Sequence, residues 1–93
     1  MQLSVEFHRA LCLEHGLEEL VEGEVNSGLT ILDGIKKLLS GTGWFAVIFE
    51  ETGNIRPGYL IISNGVELQS TGGLEKVIES DLLVKIIPIY HGG

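Results

Sequence analysis

The sequence predicts an α+β roll: a mixed sheet of four to five strands with one main helix packed on one face. Three observations carry this. The chain starts with alternation, Leu3, Val5 and Phe7 apolar between Gln2, Ser4, Glu6 and His8. One amphipathic stripe follows, from Ile31 to Leu39. The chain closes on a hairpin signal and a strand apolar on both faces. At 93 residues it forms one small domain, residues 1–93.

The alternating start reads as a half-buried strand. The segment from Arg9 to Gly16 either extends it or forms a loop. A second strand is expected around Leu17 to Val25, where Leu20 is apolar among glutamates. Ile31, Leu32, Ile35, Leu38 and Leu39 share one helical stripe, with Asp33, Lys36 and Lys37 opposite. Thr30 is a candidate N-cap, and Gly41 suits the position just past the end. Lys36 and Lys37 lie late, where they favour the helix dipole. Gly34 inside the helix costs about 1 kcal/mol relative to Ala, with no reason visible in the sequence.

Trp44 to Phe49 (WFAVIF) is apolar throughout, a strand or a buried irregular segment. Arg56-Pro57-Gly58 breaks the chain, and Tyr59 to Ser63 reads as a strand. Asn64-Gly65 signals a two-residue hairpin, because both turn positions need positive φ. Val66 to Gln69 is its return strand, Ser70 to Gly73 a turn, and Leu74 to Glu79 one helical turn. Leu82 to Tyr90 is the last strand. Leu82, Val84, Ile86 and Pro88 point one way; Leu83, Ile87 and Ile89 point the other, broken by Lys85. Such a strand belongs in the centre of its sheet. Pro88 lacks a donor, so pairing should be interrupted near it. A single helix covers one face only, leaving the other face of this strand partly exposed as a docking patch.

Composition excludes several classes. Six basic and 13 acidic residues give a formal charge of −7, unlike a nucleic-acid module or a protein that binds anionic membranes. At 44% hydrophobic and 20% charged residues the chain is globular rather than disordered. With one cysteine, Cys12, there is no internal disulfide or paired-cysteine metal knuckle. No apolar run reaches the roughly 18 residues of a membrane span. The polar start is unlike a signal peptide, so a cytoplasmic protein is expected.

Catalytic constellations are weak. His8, His15 and His91 are scattered, without metal-ligand spacing. Cys12 paired with His8 or His15 is a nucleophile candidate, but only Arg9 stands near to lower its pKa, which favours an ordinary thiol. Glu18, Glu19, Glu22 and Glu24 lack calcium-loop spacing and fit a solvated strand face better than a cation site. Gly72-Gly73 is followed by no phosphate-loop pattern and reads as a turn. Trp44 reads as a core anchor rather than a ligand stacker.

The 13 glycines are about double the roughly 7% of average usage; eleven are internal punctuation. The last two, Gly92 and Gly93, follow a hydrophobic strand ending, Ile87-Pro88-Ile89-Tyr90. Residues 91–93 are expected to project as a flexible tail. Frayed ends are common. Glycines have no Cβ, however, so such a tail can thread a narrow channel and place an unhindered carboxylate against an ATP phosphate.

Arg56-Pro57-Gly58-Tyr59-Leu60-Ile61-Ile62-Ser63-Asn64-Gly65, followed by Asp81 to Gly93, resembles the sulfur-carrier branch of the ubiquitin-like β-grasp proteins. This branch holds the molybdopterin synthase small subunit, the thiamine sulfur carrier and the ubiquitin-related modifier of tRNA thiolation. The resemblance covers Arg56 to Gly93 closely and the first half only in element order. The His91-Gly92-Gly93 ending is most like the ubiquitin-related modifier. Ile89 stands where molybdopterin proteins often carry a second proline.

The resemblance implies a β-grasp roll and a carrier rather than an enzyme, with no catalytic residues, no metal and no bound cofactor. An E1-like adenylating enzyme would activate Gly93 with Mg-ATP, and Gly92 would give access. A sulfur donor would then form a thiocarboxylate. The acceptor partner would be a molybdopterin synthase large subunit, a thiazole synthase or a tRNA thiolase. The alternatives are conjugation to lysines and an interaction domain with a passive tail. Docking is expected through Ile87, Ile89, Tyr90 and His91, with the acidic balance complementing a basic partner.

Overall fold

The computed structural model describes residues 1–89. Its sheet has five strands: β1 (Gln2–Phe7), β2 (Leu20–Glu24), β3 (Tyr59–Ser63), β4 (Val66–Glu67) and β5 (Leu82–Pro88). They lie in the order β2-β1-β5-β3-β4. As expected, β5 is central, parallel to β1 and antiparallel to β3. Three helices, α1 (Arg9–His15), α2 (Ile31–Leu39) and α3 (Trp44–Ile48), contribute to one core with the inward side chains of the sheet.

The main helix, α2, forms where its stripe and caps require. Thr30 Oγ1 accepts the Asp33 N–H at 3.1 Å, and Gly41 takes φ +84° just past the end. Ile31, Ile35 and Leu39 are buried. Gly34 finds its reason in packing. A Cβ there would lie 2.7 Å from Ile78 Cδ1 and 3.3 Å from Leu3 Cδ2, so the glycine lets α2 lie close on β1 and the 78 segment. Gly34→Val is expected to cost about 2 kcal/mol through overpacking. A denaturant melt reads this, and an unchanged midpoint would contradict it.

Among the described residues, two shorter helices that the sequence did not announce join the one main helix expected. Continuing β1 would have carried Arg9 onto the buried face. Instead His8 Nδ1 accepts the Ala10 N–H at 3.0 Å and starts α1. Gly16, at φ +65°, ends it by donating its N–H to Cys12 O at 2.8 Å. Only Leu11 of α1 is buried, while Leu13 is 74% exposed.

Trp44 to Phe49 is also corrected, from strand or irregular segment to helix. A wholly apolar run fits either period. Here the i,i+4 pairs decide: Trp44 with Ile48 faces the core, and Phe45 with Phe49 makes a tilted aromatic pair at 5.0 Å. Trp44 is the anchor expected. It stacks on Phe7 at 3.8 Å and donates its indole N–H to Glu18 O at 2.9 Å.

The hairpin forms as read, with Asn64 at φ +51° and Gly65 at φ +75°. Its return strand is shorter than expected, only Val66–Glu67. The Gln69 side chain takes over the strand's role: Oε1 accepts the Ile61 N–H at 2.9 Å and Nε2 donates to Tyr59 O at 2.8 Å. The turn expected over Leu74 to Glu79 is a short 3-10 turn at Gly73–Glu75. Past it the chain bonds back to the start of α2, Ile31 N–H to Lys76 O and Ile78 N–H to Leu29 O. β2 is trimmed to Leu20–Glu24, and β5 ends at Pro88, near the interruption expected there.

The internal glycines divide in two. Seven take positive φ, whereas Gly23, Gly34, Gly43 and Gly73 sit where a Cβ would press on a neighbouring side chain. Punctuation therefore accounts for the first group only.

Candidate functional surface

β5 presents its two sides to different surroundings. Val84 and Ile86 are fully buried against the helices. On the opposite side, Leu83 is 48% exposed, Lys85 is exposed and Ile87 half-buried, with Ile89 at 38% just beyond the strand. The partly exposed second face expected of the last strand is therefore present.

Register places the neighbours. Leu60 lies beside Ile87, and Ile62 and Glu6 flank Lys85. Leu60 and Ile62 are half-buried and extend the apolar lane from β5 onto β3. Sequence reasoning missed these two as surface residues. Their alternation with the buried Ile61 was the available signal, but the register that sets them beside Ile87 was not.

The β1–β2 side of this face is acidic. Glu6 pairs loosely with Lys85 at 3.8 Å, an exposed contact worth little. Glu22 accepts the Ser4 hydroxyl at 3.2 Å. Glu24, like Glu22, is exposed on the edge strand β2. The face thus pairs an apolar lane on β5 and β3 with an acidic flank on β1 and β2. A shallow depression of about 370 Å³ lies at its hairpin end, lined by Ile62, Asn64, Gly65, Leu83 and Lys85.

Ile89 is the last described residue, so Tyr90, His91, Gly92 and Gly93 lie outside the described residues. The other candidates are not assembled into a centre. Cys12 is half-buried, with its Sγ 3.6 Å from Phe7 O. Burial and then the Glu19 carboxylate push its thiol above the ordinary value, the reverse of an activated nucleophile. His8 is spent as the α1 cap. His15 contacts Glu14 at 3.3 Å and the edge of Trp44. Among the described residues no group of three or more His, Cys, Asp or Glu is placed to hold a metal. Gly72, at φ +77°, and Gly73 form a turn. Among the described residues no helix is long and apolar enough to cross a membrane.

No protein-family model matches the chain, and no curated protein matches it. Solved structures do. SAMP1 from Haloferax volcanii superposes with a TM-score of 0.77 at 16% identity, over 100% of both chains. Urm1 from Trypanosoma brucei gives 0.71 at 21% identity, over 99% of this chain and 95% of the other. A chain of the BexX/CysO complex from Amycolatopsis orientalis gives 0.66 at 24%, over 98% of this chain and 99% of the other. The fold is the ubiquitin-like β-grasp.

Proposed function

We propose that the chain is a ubiquitin-like sulfur carrier whose reacting group is the Gly93 carboxylate. One observation carries the reading: a central strand with one face left open runs on toward a diglycine sequence. A carboxylate is a poor electrophile. Its attack on the α-phosphate of Mg-ATP, held by an E1-like adenylating enzyme, releases pyrophosphate and makes an acyl-adenylate. Sulfide, supplied by a sulfur donor, then attacks the acyl carbon, displaces AMP and leaves a thiocarboxylate. Gly92 and Gly93 carry no Cβ to obstruct this approach. On this reading the protein is a co-substrate of the activating enzyme. Similarity of fold to SAMP1, Urm1 and a BexX/CysO chain supports the general kind.

Isopeptide transfer to lysines is the second reading, favoured by the name of one fold relative, small archaeal modifier protein 1. It uses the same adenylate, with an amine in place of the sulfur nucleophile. Sulfur delivery would proceed to a molybdopterin synthase large subunit, a thiazole synthase or a tRNA thiolase.

The activating partner is expected to dock on the lane containing Ile87 and Ile89, with basic residues facing Glu6, Glu22 and Glu24. Pyrophosphate exchange dependent on this protein, in the presence of an E1-like enzyme, tests the reading. Ile87→Asp is expected to raise the protein concentration required by about tenfold, the loss of one interface contact near 1.4 kcal/mol. Because Ile87 faces outward, the variant should melt as a folded protein. Unchanged concentration dependence would contradict docking here.

A further inference from the structure

The Arg56-Pro57-Gly58 turn lies at the root of the proposed reacting tail. On its β1 side β5 is held as far as Ile86, whose carbonyl accepts the His8 N–H at 2.9 Å. On its β3 side the register ends with Tyr59 opposite Pro88, which has no N–H. The next donor, Ile89, gives its N–H to Gly58 O at 2.8 Å. This is the last backbone tie among the described residues, and its acceptor lies in a turn rather than a strand.

The turn is held in place by its sequence. Gly58 takes φ +102°, with open space where a Cβ would be, so its backbone angle rather than crowding calls for glycine. Pro57 restricts its own φ. Arg56 binds the free carbonyls at the C-terminal end of α3: its N–H donates to Ile48 O at 2.7 Å and its Nε to Ala46 O at 3.0 Å. That helix is anchored in the core by Trp44. A continuous set of bonds therefore links the core, through α3 and Arg56, to Gly58 and Ile89. Arg56 is itself exposed.

We propose that Arg56 is a positioning residue for the reaction at Gly93. It holds the turn whose Gly58 carbonyl fixes Ile89, the last described residue. This rests on the carrier reading.

The test compares wild type with Arg56→Ala, Arg56→Lys and Gly58→Ala in two measurements. One is amide hydrogen exchange at Ile89. The other is the kcat and KM of protein-dependent pyrophosphate exchange with an E1-like enzyme. Arg56→Ala and Gly58→Ala are expected to speed exchange at Ile89 while the amides of β1 and the rest of β5 stay protected. They are expected to lower kcat/KM about tenfold, mainly in kcat, since misplacing a reacting group slows turnover. Arg56→Lys, which keeps a donor for Ala46 O, is expected to recover part of both.

Wild-type kinetics in Arg56→Ala and Gly58→Ala overturn the proposal, whatever Ile89 does. Loss of protection across the whole sheet also overturns it, by marking a structural role. If wild type supports no pyrophosphate exchange, the carrier reading falls. Unchanged Ile89 exchange in the variants would overturn the clamp separately.

Discussion

Adding a single alanine after Gly93 is expected to abolish activation. On the carrier reading, the reacting carboxylate would then sit on a residue with a Cβ, one residue further along the chain. Both changes bear on the same step. Adenylation requires the carboxylate in line with the α-phosphate, and a misplacement of about 1 Å can cost about a hundredfold in rate. One extended residue adds roughly 3.3 Å, beyond such tolerance. Deleting Gly93 should be as damaging, because Gly92 then falls short. Neither change touches the described residues, so both variants should melt as wild type does. Pyrophosphate exchange at wild-type level in the extended protein would contradict the requirement for a carboxylate on Gly93.

Trp44→Ala carries the largest expected effect on stability. The indole is 1% exposed, stacks on Phe7 at an interplanar angle of 3°, and satisfies the Glu18 carbonyl. Removing it leaves a cavity between α3 and β1 and an unpaired acceptor. Truncations of this kind cost about 3–5 kcal/mol. A domain of this size has roughly 5–14 kcal/mol in total. Chemical denaturation should therefore show loss of about half the stability. Trp44→Phe, which keeps a stacking ring but no donor, should cost less. Equal stability of Trp44→Ala and wild type would contradict the assignment of Trp44 as the anchor of α3.

The parts legible in the sequence were those where two local signals agree. At Ile31–Leu39 an apolar stripe coincides with a threonine cap and a following glycine. At Asn64-Gly65 the turn chemistry coincides with flanking β-rich residues. The two-faced apolarity of β5 placed it in the centre of the sheet. Legibility failed where one signal stood alone. Trp44 to Phe49 is apolar in every period, so only its packing, with Trp44 stacked on Phe7 and Phe45 paired with Phe49, selects a helix. Arg9–His15 has one buried residue, too weak a stripe to announce α1. Gly34 looked like a penalty because Ile78, which it accommodates, is distant in sequence.

The candidate site divides along the same line. Ile87 and Ile89 were readable from strand alternation. Leu60 and Ile62 join them only through the β3–β5 register. The link from the core to Ile89 passes through α3, which the sequence did not reveal as a helix, and then through Arg56 and Gly58.

Intact-protein mass spectrometry tests the central claim most directly. The protein is incubated with ATP, a sulfide source and an E1-like adenylating enzyme, and its mass is compared with that of a Gly93-deleted form. The carrier reading predicts a gain equal to the difference between sulfur and oxygen, located at Gly93 by fragmentation and absent from the deleted form. No gain, or the same gain in both proteins, would contradict it.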